Sequence, residues 1–139
     1  VVKVLSEIET RALRNIRLLN DDARPLLAWL PPASIARAFV LFPDPWPKAR
    51  HKKRRLVGPE LLDRLARVLR PGGVLRLATD IGDYAGAMLE AVAPHRAFDW
   101  QAETAADWRE RAVDWPETRY EAKARAAGRR CYFFTLVRG

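Results

Sequence analysis

The sequence predicts an α/β fold in which a mainly parallel, doubly wound sheet carries helices on both faces. Three observations predict it. Short apolar runs rich in strand formers alternate with segments whose apolar residues recur at helical spacing. The connections have the length of crossovers, which join parallel strands with right-handed geometry. Carboxylates also follow directly after predicted strands, at the sheet edge where open α/β sheets gather their ligands.

The elements follow in order. Val1, Val4, Leu5, Ile8 and Ala12 lie at helical spacing with no capping Ser, Thr, Asp or Asn ahead of them, so the chain reads as entering a helix partway. Asn15-Ile16-Arg17-Leu18-Leu19 reads as a short strand ending at Asn20-Asp21-Asp22, and residues 26–30 as a brief helical segment stopped by Pro31-Pro32. Residues 35–42 form an apolar run that fits a strand buried on both faces, broken by Pro43-Asp44-Pro45-Trp46-Pro47. Gly58-Pro59 opens a helix whose Leu61, Leu62, Leu65, Val68 and Leu69 face one way, and Arg70-Pro71-Gly72-Gly73 closes it.

Residues 74–78 follow as a strand ending at Thr79-Asp80, and a helix after Gly82-Asp83 carries Ala85, Met88, Leu89 and Val92 on one side. Residues 98–101 and 131–137 complete the strands, and this closing pair need not be parallel. Thr104-Ala105-Ala106-Asp107 and Thr118-Arg119-Tyr120-Glu121 both have capping-box spacing, in which a hydroxyl and a carboxylate satisfy the free amides of a helix start. Gly128 suits the end of the second of these helices.

The 139 residues fit one domain, and 49% hydrophobic content is enough for a core. The 25 Lys and Arg against 17 Asp and Glu leave a net charge of +8, which favours polyanionic partners. The single cysteine, Cys131, lies in an apolar run and reads as a small buried hydrophobe in a reducing compartment; no disulfide framework or cysteine metal site is possible. No apolar stretch approaches the ~20 residues of a membrane span and no signal-peptide pattern is found, so the expected location is the cytoplasm.

Asp22, Asp44 and Asp80 are the carboxylates that follow strands. Each alone reads more readily as a turn or N-cap residue; three at one sheet edge shift the reading towards a cationic or hydroxyl-rich ligand. Around Asp44, three alternating prolines fix φ and remove backbone donors, so the segment is stiff and holds Asp44 and Trp46 in set positions. Lys48-Ala49-Arg50-His51-Lys52-Lys53-Arg54-Arg55 then places six permanent positive charges in eight residues. Such a run is often a solvated surface. Here, at the mouth of the site, it argues for phosphate contacts, with Arg50, Arg54 and Arg55 forking onto oxygens and Lys52 and Lys53 acting as point charges.

The run from Phe42 to Lys48, Phe-Pro-Asp-Pro-Trp-Pro-Lys, followed by Arg50-His51-Lys52-Lys53-Arg54-Arg55-Leu56-Val57, resembles the signature of bacterial tRNA (guanine-N7)-methyltransferases. The resemblance continues through Arg70-Pro71-Gly72-Gly73, Ala78-Thr79-Asp80, Asp83-Tyr84-Ala85 and Thr118-Arg119-Tyr120-Glu121, and so covers essentially the whole chain. It implies a class I methyltransferase fold, with a Rossmann-like sheet, that moves a methyl group from S-adenosylmethionine (SAM) to N7 of a guanine in the tRNA variable loop, without a metal. It implies cofactor-binding roles for Asp22 and Asp44, with Asp44 also the catalytic carboxylate beside the base. Lys48, Asp80, Thr118, Arg119, Tyr120 and Glu121 resemble substrate-binding positions, although residues 118–121 read equally as a capping box. Arg50, His51, Lys52, Lys53, Arg54 and Arg55 resemble the RNA-contacting segment.

The chain departs from that pattern at its start. Enzymes of this fold have a glycine-rich turn after the first strand and an acidic residue after the second; no G-x-G pattern precedes Asn15. Residues 1–139 therefore read as one partial methyltransferase domain lacking its first two strands and the cofactor-binding part they carry. On that reading the strands at 15–19 and 35–42 each keep an unpaired edge, and the chain alone is expected to bind SAM poorly. The alternative is a tRNA-binding module that has lost the SAM site and catalysis with it.

Overall fold

The computed structural model describes residues 1–139, and its organising element is β2 (Leu69–Thr79), an 11-residue strand hydrogen-bonded on both edges. Its partners are β1 (Ile35–Leu41), parallel, and β4 (Tyr132–Arg138), antiparallel; β3 (Phe98–Trp100) pairs antiparallel with the far side of β4. The sheet order is therefore β1-β2-β4-β3. The antiparallel closing pair agrees with the latitude the sequence left there.

Alternation along β2 and β4 assigns two cores to two faces. Leu75 and Leu77 of β2, with Phe134 and Leu136 of β4, point to the larger core. There they meet Leu61, Leu62, Leu65 and Val68 of α3 (Pro59–Val68) and Tyr84, Ala85, Met88 and Val92 of α4 (Gly82–Val92). Pro59 stands at the first position of α3 behind Gly58, as the sequence predicts. The opposite face of the sheet carries Ala78 and Phe133, packed with Trp115, Cys131 and Ala124 of α6 (Arg119–Ala126). Cys131 is buried, as expected for a small hydrophobe, and burial pushes its thiol up.

A charged residue is built into this second face. Arg76 of β2 is 8% exposed, its guanidinium 5.8 and 5.5 Å from the ring centroids of Phe39 and Trp115, which meet each other edge-on, and ion-paired with Asp114 at 2.8 Å. Its Nε and one terminal nitrogen have no hydrogen-bond partner. Two aromatic faces and one carboxylate offset the cost of taking this cation out of water.

The two predicted capping boxes are half made. At α6, the Thr118 hydroxyl accepts from the Glu121 N–H at 3.2 Å, but the Glu121 side chain turns away from the helix start. At α5 (Ala106–Arg109), Asp107 reaches back to the Glu103 and Thr104 N–H groups, whereas the Thr104 hydroxyl donates to that same carboxylate and caps nothing. Gly128, at φ +77, ends α6 with its N–H on the Arg125 carbonyl and the Arg129 N–H on that of Ala124.

Three expectations are corrected. Residues 13–20 form no strand. No segment lies beside them to share a ladder: Ile16, Leu18 and Leu19 are exposed, and the Arg17 side chain bonds the Arg14 and Ile16 carbonyls. β1 is not buried on both faces. It is an edge strand with Arg37 and Phe39 exposed on the side of Arg76, Phe39 to 41%. Arg70-Pro71-Gly72-Gly73 does not close α3 but belongs to β2, where the register with β1 jumps between the Ile35–Leu69 and Arg37–Val74 pairs. The helices at the chain start, α1 (Val2–Thr10) and α2 (Ala23–Trp29), match the predicted segments, but α1 buries no residue.

Gly73 stands where its own strand and β1 leave no room for a side chain. A Cβ there would stand 2.7 Å from the Arg70 carbonyl oxygen and 3.2 Å from that of Ala36, both backbone atoms. Gly73→Ala should therefore destabilise the chain by about 1–3 kcal/mol, read as a lower urea midpoint with an unchanged m-value.

Candidate active site and nucleic-acid face

The site grows from the carboxyl ends of β1 and β2. Past Leu41 the chain leaves the sheet at Phe42, whose N–H still bonds the Ala78 carbonyl at 2.8 Å, and enters the proline-alternating loop. Phe42 and Trp46 both adopt positive φ, 51° and 41°. Left-handed backbone is costly for an aromatic residue and persists only where the surroundings impose it. Here the alternating prolines restrict the loop between fixed ends. Asp44, between these two residues, is exposed, and its carboxylate has neither ion pair nor hydrogen bond within the chain.

The other two carboxylates are engaged. Asp22 caps α2, accepting from the Arg24 N–H at 3.0 Å, and pairs with the Arg24 guanidinium at 2.8 Å; the Arg24 contacts hold its carboxyl below the usual carboxylate range. Asp80, just past the end of β2, pairs with Arg129 at 2.7 Å and has a 20% exposed side chain. Asp44 is thus the unpaired carboxylate of the three. Sequence reading gave no signal for Arg129 as the partner of Asp80, because forty-nine positions separate them.

The basic run folds into a 3-10 turn (Ala49–Arg54) whose cations fall into two groups. Lys48, Arg50, Lys53 and Arg54 are exposed and form no ion pair. The Arg54 guanidinium lies 5.2 Å from the Trp46 ring centroid, and His51 meets that ring edge-on at 5.7 Å. Lys52 instead pairs with Asp83 at 3.0 Å.

Arg55 departs from its expected place among the phosphate contacts. Its side chain is only 6% exposed, donates to the Pro45 carbonyl at 2.6 Å and to Asp83 at 2.8 Å, and lies 4.7 Å from the Tyr84 ring centroid. The Tyr84 hydroxyl in turn accepts from the Val57 N–H at 2.9 Å. Arg55 therefore fastens the loop carrying Asp44 and the basic turn to the first turn of α4. The sequence marks Asp83-Tyr84 as a motif, but its partner becomes visible only when the chain is folded.

The fourth side of the site is the start of α6. Thr118 is half-buried, whereas Arg119 and Tyr120 are exposed, and the Tyr120 ring stacks on Phe42 with centroids 6.2 Å apart and planes 18° apart. Glu121 is 1% exposed and receives Arg111 at 2.8 Å and Arg125 at 3.0 Å. Arg111 also donates to the Trp115 carbonyl. Glu121 anchors α6 from below while its neighbours face out. Arg111, in an irregular stretch, carries no sequence signal. No cluster of three or more His, Cys, Asp or Glu that could hold a metal occurs, and no helix is long and apolar enough to cross a membrane.

This sheet, with the Asp44 loop and Asp80 at the carboxyl ends of β1 and β2, has the fold of class I methyltransferases. An rRNA methylase from Streptococcus thermophilus superposes with a TM-score of 0.59 at 15% identity, over 99% of this chain and 66% of that one. A precorrin-6y C5,15-methyltransferase from Geobacter metallireducens GS-15 gives 0.56 at 16%, over 97% of this chain and 61% of its own. The family described as putative methyltransferase matches residues 1–134, and the chain belongs to that family. It is 49% identical over 138 residues to the tRNA (guanine-N(7)-)-methyltransferase of Rhizobium meliloti, covering 99% of this chain and 60% of the relative. The protein of that name from Rhodospirillum rubrum is 52% identical over 130 residues, covering 94% of this chain and 51% of the relative. The chain thus spans about 60% or less of the length of these curated relatives.

Arg55 and Lys52 both favour the ionised form of Asp83, Arg55 the more strongly, and hold its carboxyl below the usual carboxylate range. Their tie is complete at neutral pH and is lost as pH falls through that depressed value. An NMR titration of the Asp83 carboxyl carbon should have its midpoint below that of an unperturbed aspartate, and Arg55→Met should move it back up. A midpoint insensitive to Arg55→Met would mean that the pair does not form in solution.

Proposed function

We propose that this chain provides the base- and RNA-facing side of a SAM-dependent methyltransferase acting on N7 of a guanine in the tRNA variable loop. The observation that carries the proposal is the unpaired Asp44 carboxylate, held by a stiff loop beside exposed, unpaired cations. The names of the relatives support the choice of tRNA and of N7.

Guanine N7 has an in-plane lone pair and no proton, so methylation there needs no strong general base. Positioning and electrostatics are sufficient. The base becomes cationic during transfer, and Asp44 is the carboxylate with its charge uncommitted to meet that change. The donor supplies an electrophilic methyl group on a sulfonium. Its own positive charge and amine suit the unpaired Asp44 carboxylate at this sheet edge, with Asp22, at the start of α2 and with a side chain 42% exposed beside Arg24, as the second carboxylate offered to it. Lys48, with the Arg119 and Tyr120 end of α6, borders the base; Asp80, through Arg129, and Thr118 and Glu121, through the helix start, hold those walls in place. Arg50, His51, Lys53 and Arg54, with Lys52 behind them, face the RNA backbone.

Methyl transfer from labelled SAM to unmodified tRNA, with identification of the labelled nucleoside, tests the reading. Label in 7-methylguanosine supports it, and label in any other nucleoside rejects it. Binding of tRNA with no transfer would mark the chain as an RNA-binding module. Asp44→Ala should lower turnover by about 100-fold while changing tRNA affinity little, and equal losses in both would reject the electrostatic role. Arg54→Gln should reduce the salt dependence of tRNA binding by about one unit of slope. Arg55→Gln should instead lower stability, because its guanidinium is spent inside the fold.

A further inference from the structure

The Tyr120 ring is held from one side and open on the other. Its held face stacks on Phe42, which is fixed by its N–H on the Ala78 carbonyl and by a left-handed backbone. Its backbone sits in the first turn of α6, secured through the Thr118 cap and the two arginines on Glu121. Despite these fastenings Tyr120 is 67% exposed. Burying a large aromatic ring would stabilise the fold, so one kept rigid and open is available to an external partner.

The surroundings specify the partner. Tyr120 lines an open depression of about 590 Å³ together with Arg119, Ala122 and Lys123. Neither Arg119 nor Lys123 has an ion-pair partner, so two free cations border one flat ring. A π-face beside unpaired positive charge is the minimal site for a nucleotide: the base stacks and the phosphate meets the cation. Phe42 lies two residues before Asp44, so the platform adjoins the proposed reacting position without occupying it.

We propose that Tyr120 is a stacking platform for an unpaired ribonucleotide next to the methylated guanine, with Arg119 and Lys123 meeting its phosphate. The proposal rests on RNA being the substrate. It adds that the site grips a flanking base by its face, and so requires single-stranded RNA there and tolerates any base.

The test is equilibrium binding of the full chain, by fluorescence anisotropy at fixed salt, to a labelled 12-residue oligoadenylate and to an abasic ribose-phosphate oligomer of equal length. The native chain should bind the oligoadenylate more tightly. Tyr120→Ala should weaken that binding by about 5- to 150-fold, the range of one base stack, and change abasic binding by less than about twofold. Tyr120→Phe should stay within about twofold of native. Tyr120→Leu keeps apolar volume against Phe42 without a ring and should behave like Tyr120→Ala, which separates stacking from support of Phe42. Arg119→Gln and Lys123→Gln should weaken both ligands alike.

A native chain that does not distinguish the two oligomers, or a Tyr120→Ala chain that loses both equally, overturns the proposal. So does a Tyr120→Leu chain with native affinity. None of these outcomes depends on methyl transfer, so failure of the catalytic reading is read separately from failure of the platform.

Discussion

The site depends on one buried cation. Arg55 reaches the Pro45 carbonyl in one segment and Asp83 and the Tyr84 ring in another, joining the loop that displays Asp44 to the helix that follows β2. A guanidinium suits this position because its planar fork bonds two acceptors while its face lies on an aromatic ring; an ammonium could do only part of this. Placed at the surface among the other five cations of the run, Arg55 would merely add to their mutual repulsion. Drawn inward, it organises the others, and Lys52 adds a second positive charge against the same Asp83 carboxylate.

A second knot, at Glu121, fastens the opposite wall. A fully buried carboxylate must be paired, and Arg111 and Arg125 both meet it. Because that pairing draws the Glu121 side chain away from the helix start, the Thr118 cap is left one-sided and the exposed residues of the first turn point outward. The two knots share a plan: one buried charged group, Arg55 or Glu121, takes opposite charges reaching in from the surface and so holds the exposed residues in front of it in place.

Much of this was legible in the sequence. Periodicity located α3, α4 and β4 to within a few residues, and β2 at its carboxyl end, because each buries a full face there and the pattern of burial is the pattern of apolar residues. The proline-alternating loop and basic run stand out as composition. Residues 15–19 misled because strand propensity describes a segment, whereas a strand requires a neighbour, and none lies beside them. Arg70-Pro71-Gly72-Gly73 reads as a helix stop, yet Gly73 is required by the close approach first of the Arg70 carbonyl and then of the β1 backbone at Ala36, which only the fold reveals. The sorting of Arg55 from Arg54, and the pairings of Asp80 and Glu121, depend on contacts between segments far apart in the chain.

β1 has hydrogen-bonded company on one edge only, and the loop bearing Asp44 hangs from it. In terms of local opening, the strand nearest the proposed chemistry is therefore cheaper to loosen than β2, which is laced on both sides. The loop does not take its rigidity from its own strand. It takes it from fastenings that cross to β2 and α4, the Phe42 amide and the Arg55 guanidinium. Asp44 can therefore remain in register with Asp80 and the start of α6 even while the outer edge of the sheet breathes.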